Sequence, residues 1–130
     1  MSAVVEKLEA LEREATLSEI SRIAGYLQEH LGQRVTAYLS GIKDAKMVGQ
    51  WARGKQRPRE PAGFRLRQAY PAARLLVESY GNETAKAWFF GTNARLDDEA
   101  PAYVLRYGET PDDFRFLLPA ARALVEGGAG

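Results

Sequence analysis

The sequence has no cysteine and a single histidine, His30. The first absence excludes disulfides, thiolate metal sites and a cysteine nucleophile. The second leaves any zinc site dependent on carboxylates for most of its ligands, an uncommon arrangement. It also forces any Ser-His-Asp triad through His30, and no Gly-x-Ser-x-Gly elbow accompanies it. Neither Gly-x-Gly-x-x-Gly nor Gly-x-x-x-x-Gly-Lys-[Ser/Thr] occurs, so two familiar glycine-rich phosphate cradles are missing. No apolar run approaches the roughly 18–20 residues of a membrane span. The opening Met1-Ser-Ala-Val-Val-Glu-Lys carries acid early, unlike a secretion signal. These absences remove most enzyme classes that announce themselves in sequence and fit a cytoplasmic location; the expectation is no enzyme, no cofactor, no metal and no membrane partner.

What is present is an ordinary globular composition: 130 residues, 45% hydrophobic and 27% charged, enough for one modest core. The formal net charge is only +1, but it is unevenly distributed. Residues 1–31 carry −3, 32–42 carry +1, 68–95 carry +1 and 96–130 carry −4. Residues 43–67 carry +6, from Lys43, Lys46, Arg53, Lys55, Arg57, Arg59, Arg65 and Arg67 against Asp44 and Glu60. Clustered cations of this kind are the footprint of phosphate contact, or else a solvated loop with no partner.

The hydrophobic periodicity predicts an all-α chain, with no strand and no internal repeat. Val4, Val5, Leu8 and Leu11 mark a helix over 3–14. Thr16-Leu-Ser-Glu19 reads as a capping box for a helix carrying Ile20, Ile23, Ala24, Leu27 and Leu31 and closed by Gly32. A short helix through Val35, Tyr38, Leu39 and Ile42 follows, with Gly41 at the turn. Asp44 caps a third that runs to Arg53 and stops at Gly54. On that helix Met47, Val48 and Trp51 share one face, and Lys46, Gln50 and Arg53 the opposite one. Residues 55–61 form a basic loop. A longer helix spans Ala62 to Tyr80, with Phe64, Ala73, Leu76, Val77 and Tyr80 as core residues and a kink or break expected at Pro71. Asn82 caps the next, with Ala85, Trp88 and Phe89 as its apolar stripe and Gly91 as its end. Asp97-Asp98-Glu99-Ala100-Pro101 reads as the first turn of a short helix reaching Tyr107, closed by Gly108. Thr110-Pro-Asp-Asp113 opens a last helix through Phe114, Leu117, Leu118, Ala121, Leu124 and Val125. Pro119 is expected to bend it, and Gly127–Gly130 to fray.

Three helices between about Thr16 and Gly54, the third with a polar face and a basic loop behind it, form a helix-turn-helix pattern. The stretch Val48-Gly-Gln-Trp51-Ala-Arg-Gly54-Lys-Gln-Arg-Pro58 resembles the recognition-helix region of Xre-type and MbcA-type proteins. The order Trp88…Asn93…Leu96…Pro101…Leu105…Gly108 resembles the toxin-binding domain shared by MbcA, ParS and Xre antitoxins. The resemblance covers roughly residues 17–127. It implies three segments: an N-terminal helical extension (1–15), an Xre-like helix-turn-helix (16–61) and a small helical toxin-binding domain (62–130). It further implies the antitoxin half of a bacterial toxin–antitoxin pair. The partner in such pairs is a RES-domain toxin that consumes NAD⁺, encoded by the adjacent gene. The antitoxin obstructs the toxin's active site, represses its own promoter, and works as a homo-oligomer within the toxin–antitoxin complex. A free-standing helix-turn-helix regulator without a toxin is the alternative.

The DNA reading assigns Lys46, Gln50 and Arg53 to the major groove, where Gln pairs with adenine and Arg with guanine. Lys55, Arg57 and Arg59 would hold phosphate, which positions a protein without reading sequence. The toxin-binding candidates are Phe89, Asn93, Arg95, Leu96, Pro101, Leu105, Phe114 and Phe116. All but Arg95 have a structural alternative. The adjacent Trp88 and Phe89 leave at most one of them deep in the core, with Trp88 favoured as core; Asn93 serves equally as a cap for its loop. Phe114 and Phe116 lie about 200° apart on a helix, so they cannot share one core. His30 reads as a surface residue near a helix C-terminus, and Asp97 and Asp98 as dipole partners rather than catalytic acids.

Overall fold

A computed structural model describes residues 2–127. Its elements are helices α1 (Ala3–Leu17), α2 (Ile20–Leu31), α3 (Gln33–Ser40), α4 (Lys46–Ala52), α5 (Ala62–Tyr80), α6 (Asn82–Phe90), α7 (Pro101–Tyr107) and α8 (Leu117–Val125). Short 3-10 turns at Ala94–Leu96 and Pro111–Phe114 complete them. Among the described residues there is no strand, only an isolated bridge between Asn93 and Glu99. The all-helical class is therefore as the periodicity predicts.

Helix α5 is the central element. Ten of its residues are buried, so it is apolar around most of its circumference, as a helix enclosed by others must be. It packs against α1, α2, α3, α6, α7 and α8. Ile23, Ala24, Leu27 and Leu31 form the inner stripe of α2, which lies against α3, α4 and α5. One hydrophobic cluster runs from Leu8 and Leu11 of α1 to Leu117 and Ala121 of α8. From Ala3 onward the extension expected over 1–15 belongs to a helix that continues to Leu17 and packs on α5 and α8.

Several local expectations need correction. Thr16 caps nothing: it sits in the last turn of α1, and its hydroxyl donates to the Glu12 carbonyl at 3.0 Å. A threonine four residues after a carbonyl satisfies itself within its own helix. Glu19 precedes α2 without a side-chain cap. Pro71 does not break α5. The helix runs through it, and the ring is buried between Tyr70 and Ala72, so tertiary packing offsets the lost hydrogen bond, a loss costing about 3 kcal/mol. Tyr80 is 46% exposed rather than core, its hydroxyl donating to the Leu124 carbonyl. Asn82 makes no cap; its Oδ1 lies 3.0 Å from His30 Nδ1 on α2.

His30 is thereby half-buried, stacked on Tyr26 with ring centroids 4.2 Å apart, not a free surface residue. Asp97 and Asp98 take left-handed backbone angles in a tight turn, with φ of 55° and 64°, and do not open α7. The capping box at Thr110 and Asp113 exists, but it starts a 3-10 turn, and α8 begins later at Leu117. Pro119 occupies the first turn of α8, where an N–H has no acceptor within the helix, so it has no reason to bend it. Trp88 and Phe89 are both buried, at 8% and 0% exposure, packed edge to face. The expected fraying lies mostly outside the described residues, which end at Gly127.

Candidate nucleic-acid interface

Val48 and Trp51 are buried at 0% and 3%, which fixes the inner face of α4. Lys46 and Arg53 are consequently exposed and Gln50 half-exposed on the other side. Asp44 Oδ1 accepts the Lys46 N–H at 3.0 Å and so holds the start of the helix. At the far end the chain turns back at Gly54, whose φ of 71° disfavours any side chain. The Lys55 and Gln56 N–H groups then donate to the Gln50 carbonyl at 3.0 and 3.4 Å. This return brings the loop carrying Lys55, Arg57 and Arg59 beside α4. Glu60 closes the loop by accepting the Phe64 N–H with Oε2 at 3.0 Å, which caps α5. The Glu60–Pro61 peptide is cis.

The basic segment is divided by the fold into two groups. Arg65 and Arg67 point inward. Arg65 donates to the carbonyls of Gly108 (3.0 Å) and Ser40 (3.3 Å), while Arg67 donates to those of Ala15 (2.6 Å) and Ser18 (2.8 Å). They neutralise the C-terminal ends of α3 and α1, where unpaired carbonyls concentrate negative charge. Lys43, Lys46, Arg53, Lys55, Arg57 and Arg59 remain exposed. None of these six takes part in an ion pair among the described residues. The two acids of the segment, Asp44 and Glu60, are engaged by backbone N–H groups. Six exposed cations thus outnumber the two exposed carboxylates of the segment.

The toxin-binding candidates separate differently. Phe89, Leu105 and Pro101 are fully buried, and Asn93, Phe114 and Leu96 are at most 7% exposed. Phe89, Asn93, Leu96, Pro101 and Leu105 lie along α6, the Asn93 turn and α7, and Phe114 lies in the later 3-10 turn, so a partner's surface cannot reach these six directly. Asn93 Oδ1 accepts the Arg95 N–H at 2.9 Å, the capping role, and the Asn93 N–H donates to the Glu99 carbonyl. Phe114 packs on Phe64, with centroids 5.6 Å apart, and against Gly108, where an added Cβ would lie 2.5 Å from the Phe114 ring. Only Arg95 and Phe116 are exposed; the Arg115 guanidinium lies 4.7 Å above the Phe116 ring.

Sequence reasoning missed the other exposed aromatics: Phe90 at 48%, Tyr103 at 47% and Tyr107 at 59%. Phe90 approaches Tyr38 at 5.7 Å, and Arg106 stacks over Tyr38 at 4.6 Å. Tyr103 and Tyr107 pack on each other at 4.6 Å. Their four-residue spacing on α7, opposite buried Ala102 and Leu105, was the available signal.

No protein-family model, curated protein or solved structure matches the chain. Among the described residues, no helix is long and apolar enough to cross a membrane.

Proposed function

We propose that this chain is an antitoxin: a helix-turn-helix made of α2, α3 and α4 holds promoter DNA, and the part from α5 onward binds and sterically blocks a RES-type NAD-degrading toxin. The observation that carries the DNA half is the set of six exposed cations on and around α4 that make no ion pair among the described residues. Lys46, Gln50 and Arg53 face bases, while Lys55, Arg57 and Arg59 hold phosphates. A helix-turn-helix reads an operator as two half-sites, so the working unit is a homo-oligomer. The toxin half is supported by the Trp88-to-Gly108 resemblance. It is also supported by exposed aromatics suited to a protein contact, Phe90, Tyr103, Tyr107 and Phe116. Blocking a toxin by occupancy requires no catalytic group in the blocker.

Two measurements test this. The chain should co-purify with the product of the neighbouring gene and preserve cellular NAD⁺ when both are expressed. If about six phosphates are neutralised, log affinity for promoter DNA should fall with log salt at a slope near −5. A flat salt response removes the DNA half; failure of rescue with both proteins present removes the toxin half. The burial of six motif residues favours a second reading, because it makes the motif a packing signature. On that reading the chain is a free-standing regulator, and no neighbouring product co-purifies.

A further inference from the structure

Two grooves flank the loop after α4, meeting at Trp51, Gln56 and Arg57. The one bordered by Ile42 and Met47 has a volume of about 420 Å³, within the range of small-ligand sites. Its walls combine two kinds of surface. Ile42 and Met47, both half-exposed, supply apolar contact over the buried Trp51, and Lys43, Arg57 and Arg59 add three cations to the lining. The cations are exposed and make no ion pair among the described residues. The Trp51 Nε1 is buried, with no hydrogen-bond acceptor among the described residues. Asp44 and Gln56 line the same groove, adding a carboxylate and an amide.

We propose that this groove binds a free nucleoside monophosphate. The three cations match a phosphate dianion. The apolar wall matches the face of a base, and the Asp44 carboxylate accepts from an exocyclic amine while its Oδ1 holds the Lys46 N–H. Inorganic phosphate would leave the apolar wall unused, and an uncharged nucleoside would leave the cations unpaired. A DNA duplex offers phosphates, but its bases are stacked and cannot enter. Nucleotide and duplex would compete for Arg57 and Arg59, and linkage makes that antagonism reciprocal. The groove is defined without reference to DNA, so its test stands apart from the promoter reading.

The full chain is titrated without DNA against adenosine 5′-monophosphate, adenosine and inorganic phosphate, by calorimetry and by tryptophan fluorescence. The monophosphate should saturate with a Kd below about 1 mM, and the other two should bind at least about tenfold more weakly. Arg57→Ala with Arg59→Ala should weaken the monophosphate at least about tenfold, with unchanged thermal unfolding, because neither side chain makes a hydrogen bond among the described residues. Lys86→Ala, on the distant α6, should change nothing. Three results overturn the proposal: no saturation by about 10 mM, phosphate binding as tightly as the nucleotide, or a double variant that binds like the parent.

Discussion

Replacing Arg67 with alanine tests whether the fold divides the basic segment as described. The guanidinium Nη1 donates to the Ala15 and Ser18 carbonyls at 2.6 and 2.8 Å, in a half-buried position. Hydrogen bonds from a charged donor are worth about 1.5–3 kcal/mol each, and these two share one nitrogen, so about 2–3 kcal/mol is expected for the pair. The loss falls on the end of α1. Besides its packing there, α1 is tied to α5 by the Arg74–Glu14 contact at 2.7 Å and Lys7–Glu78 at 3.0 Å. With a urea m-value of about 1.5–2 kcal/mol/M, the unfolding midpoint should fall by about 1–2 M. Arg67→Lys keeps the charge but loses the planar fork, so it should recover only part of the loss. The salt slope of the proposed DNA binding should not change, because Arg67 faces inward. Arg57→Ala should do the reverse: an unchanged midpoint and a slope smaller in magnitude by about 1. A midpoint shift below about 0.3 M for Arg67→Ala, or a reduced salt slope in that variant, would refute the division.

Other consequences follow from close packing and buried hydroxyls. Gly108→Ala would set a Cβ 2.5 Å from the Phe114 ring and 2.8 Å from the Val104 carbonyl, so it should cost about 1–3 kcal/mol by chemical denaturation. Adding Phe114→Leu should recover part of that cost but not all, since the backbone carbonyl cannot retreat; strictly additive effects would count against the contact. Tyr26 has a buried hydroxyl with no hydrogen-bond partner among the described residues, and desolvation pushes its pKa up to about 12 from 10.0. Its contribution to stability is therefore full below pH 10 and lost as pH rises towards 12, whereas Tyr26→Phe should show no such alkaline loss in thermal scans. The Asp113 carboxylate accepts the Glu109 and Thr110 N–H groups, which hold its pKa below the usual range. The stability it gives is present above the unfolded value near 3.8 and is lost on acidification; Asp113→Asn should remove that part of the acid limb.

The limits of α5, the glycine stops at 32, 41, 54 and 81, and the buried stripes of α2 and α4 were all legible in the sequence. Each depends on residues within a turn of one another, where spacing and backbone preference decide the outcome. Thr16 was misread because a hydroxyl can serve a helix start or the carbonyl four residues before it, and only the neighbouring helix distinguishes them. Asn82 was misread because its partner, His30, is 52 residues away.

The candidate site divides along the same line. The sequence by itself determined that Lys46 and Arg53 would face away from the buried side of α4, because Val48 and Trp51 turn inward, and that Lys55, Arg57 and Arg59 would follow in a basic loop. Only the tertiary structure withdrew Arg65 and Arg67 from the positive block, since their partners are helix ends 25 to 52 residues distant. Only the tertiary structure buried Phe89, Asn93, Leu96, Pro101, Leu105 and Phe114 and left Phe90, Tyr103, Tyr107 and Phe116 outside. An apolar side chain buries against whatever element arrives to cover it, and that arrival is a long-range event which local spacing does not encode.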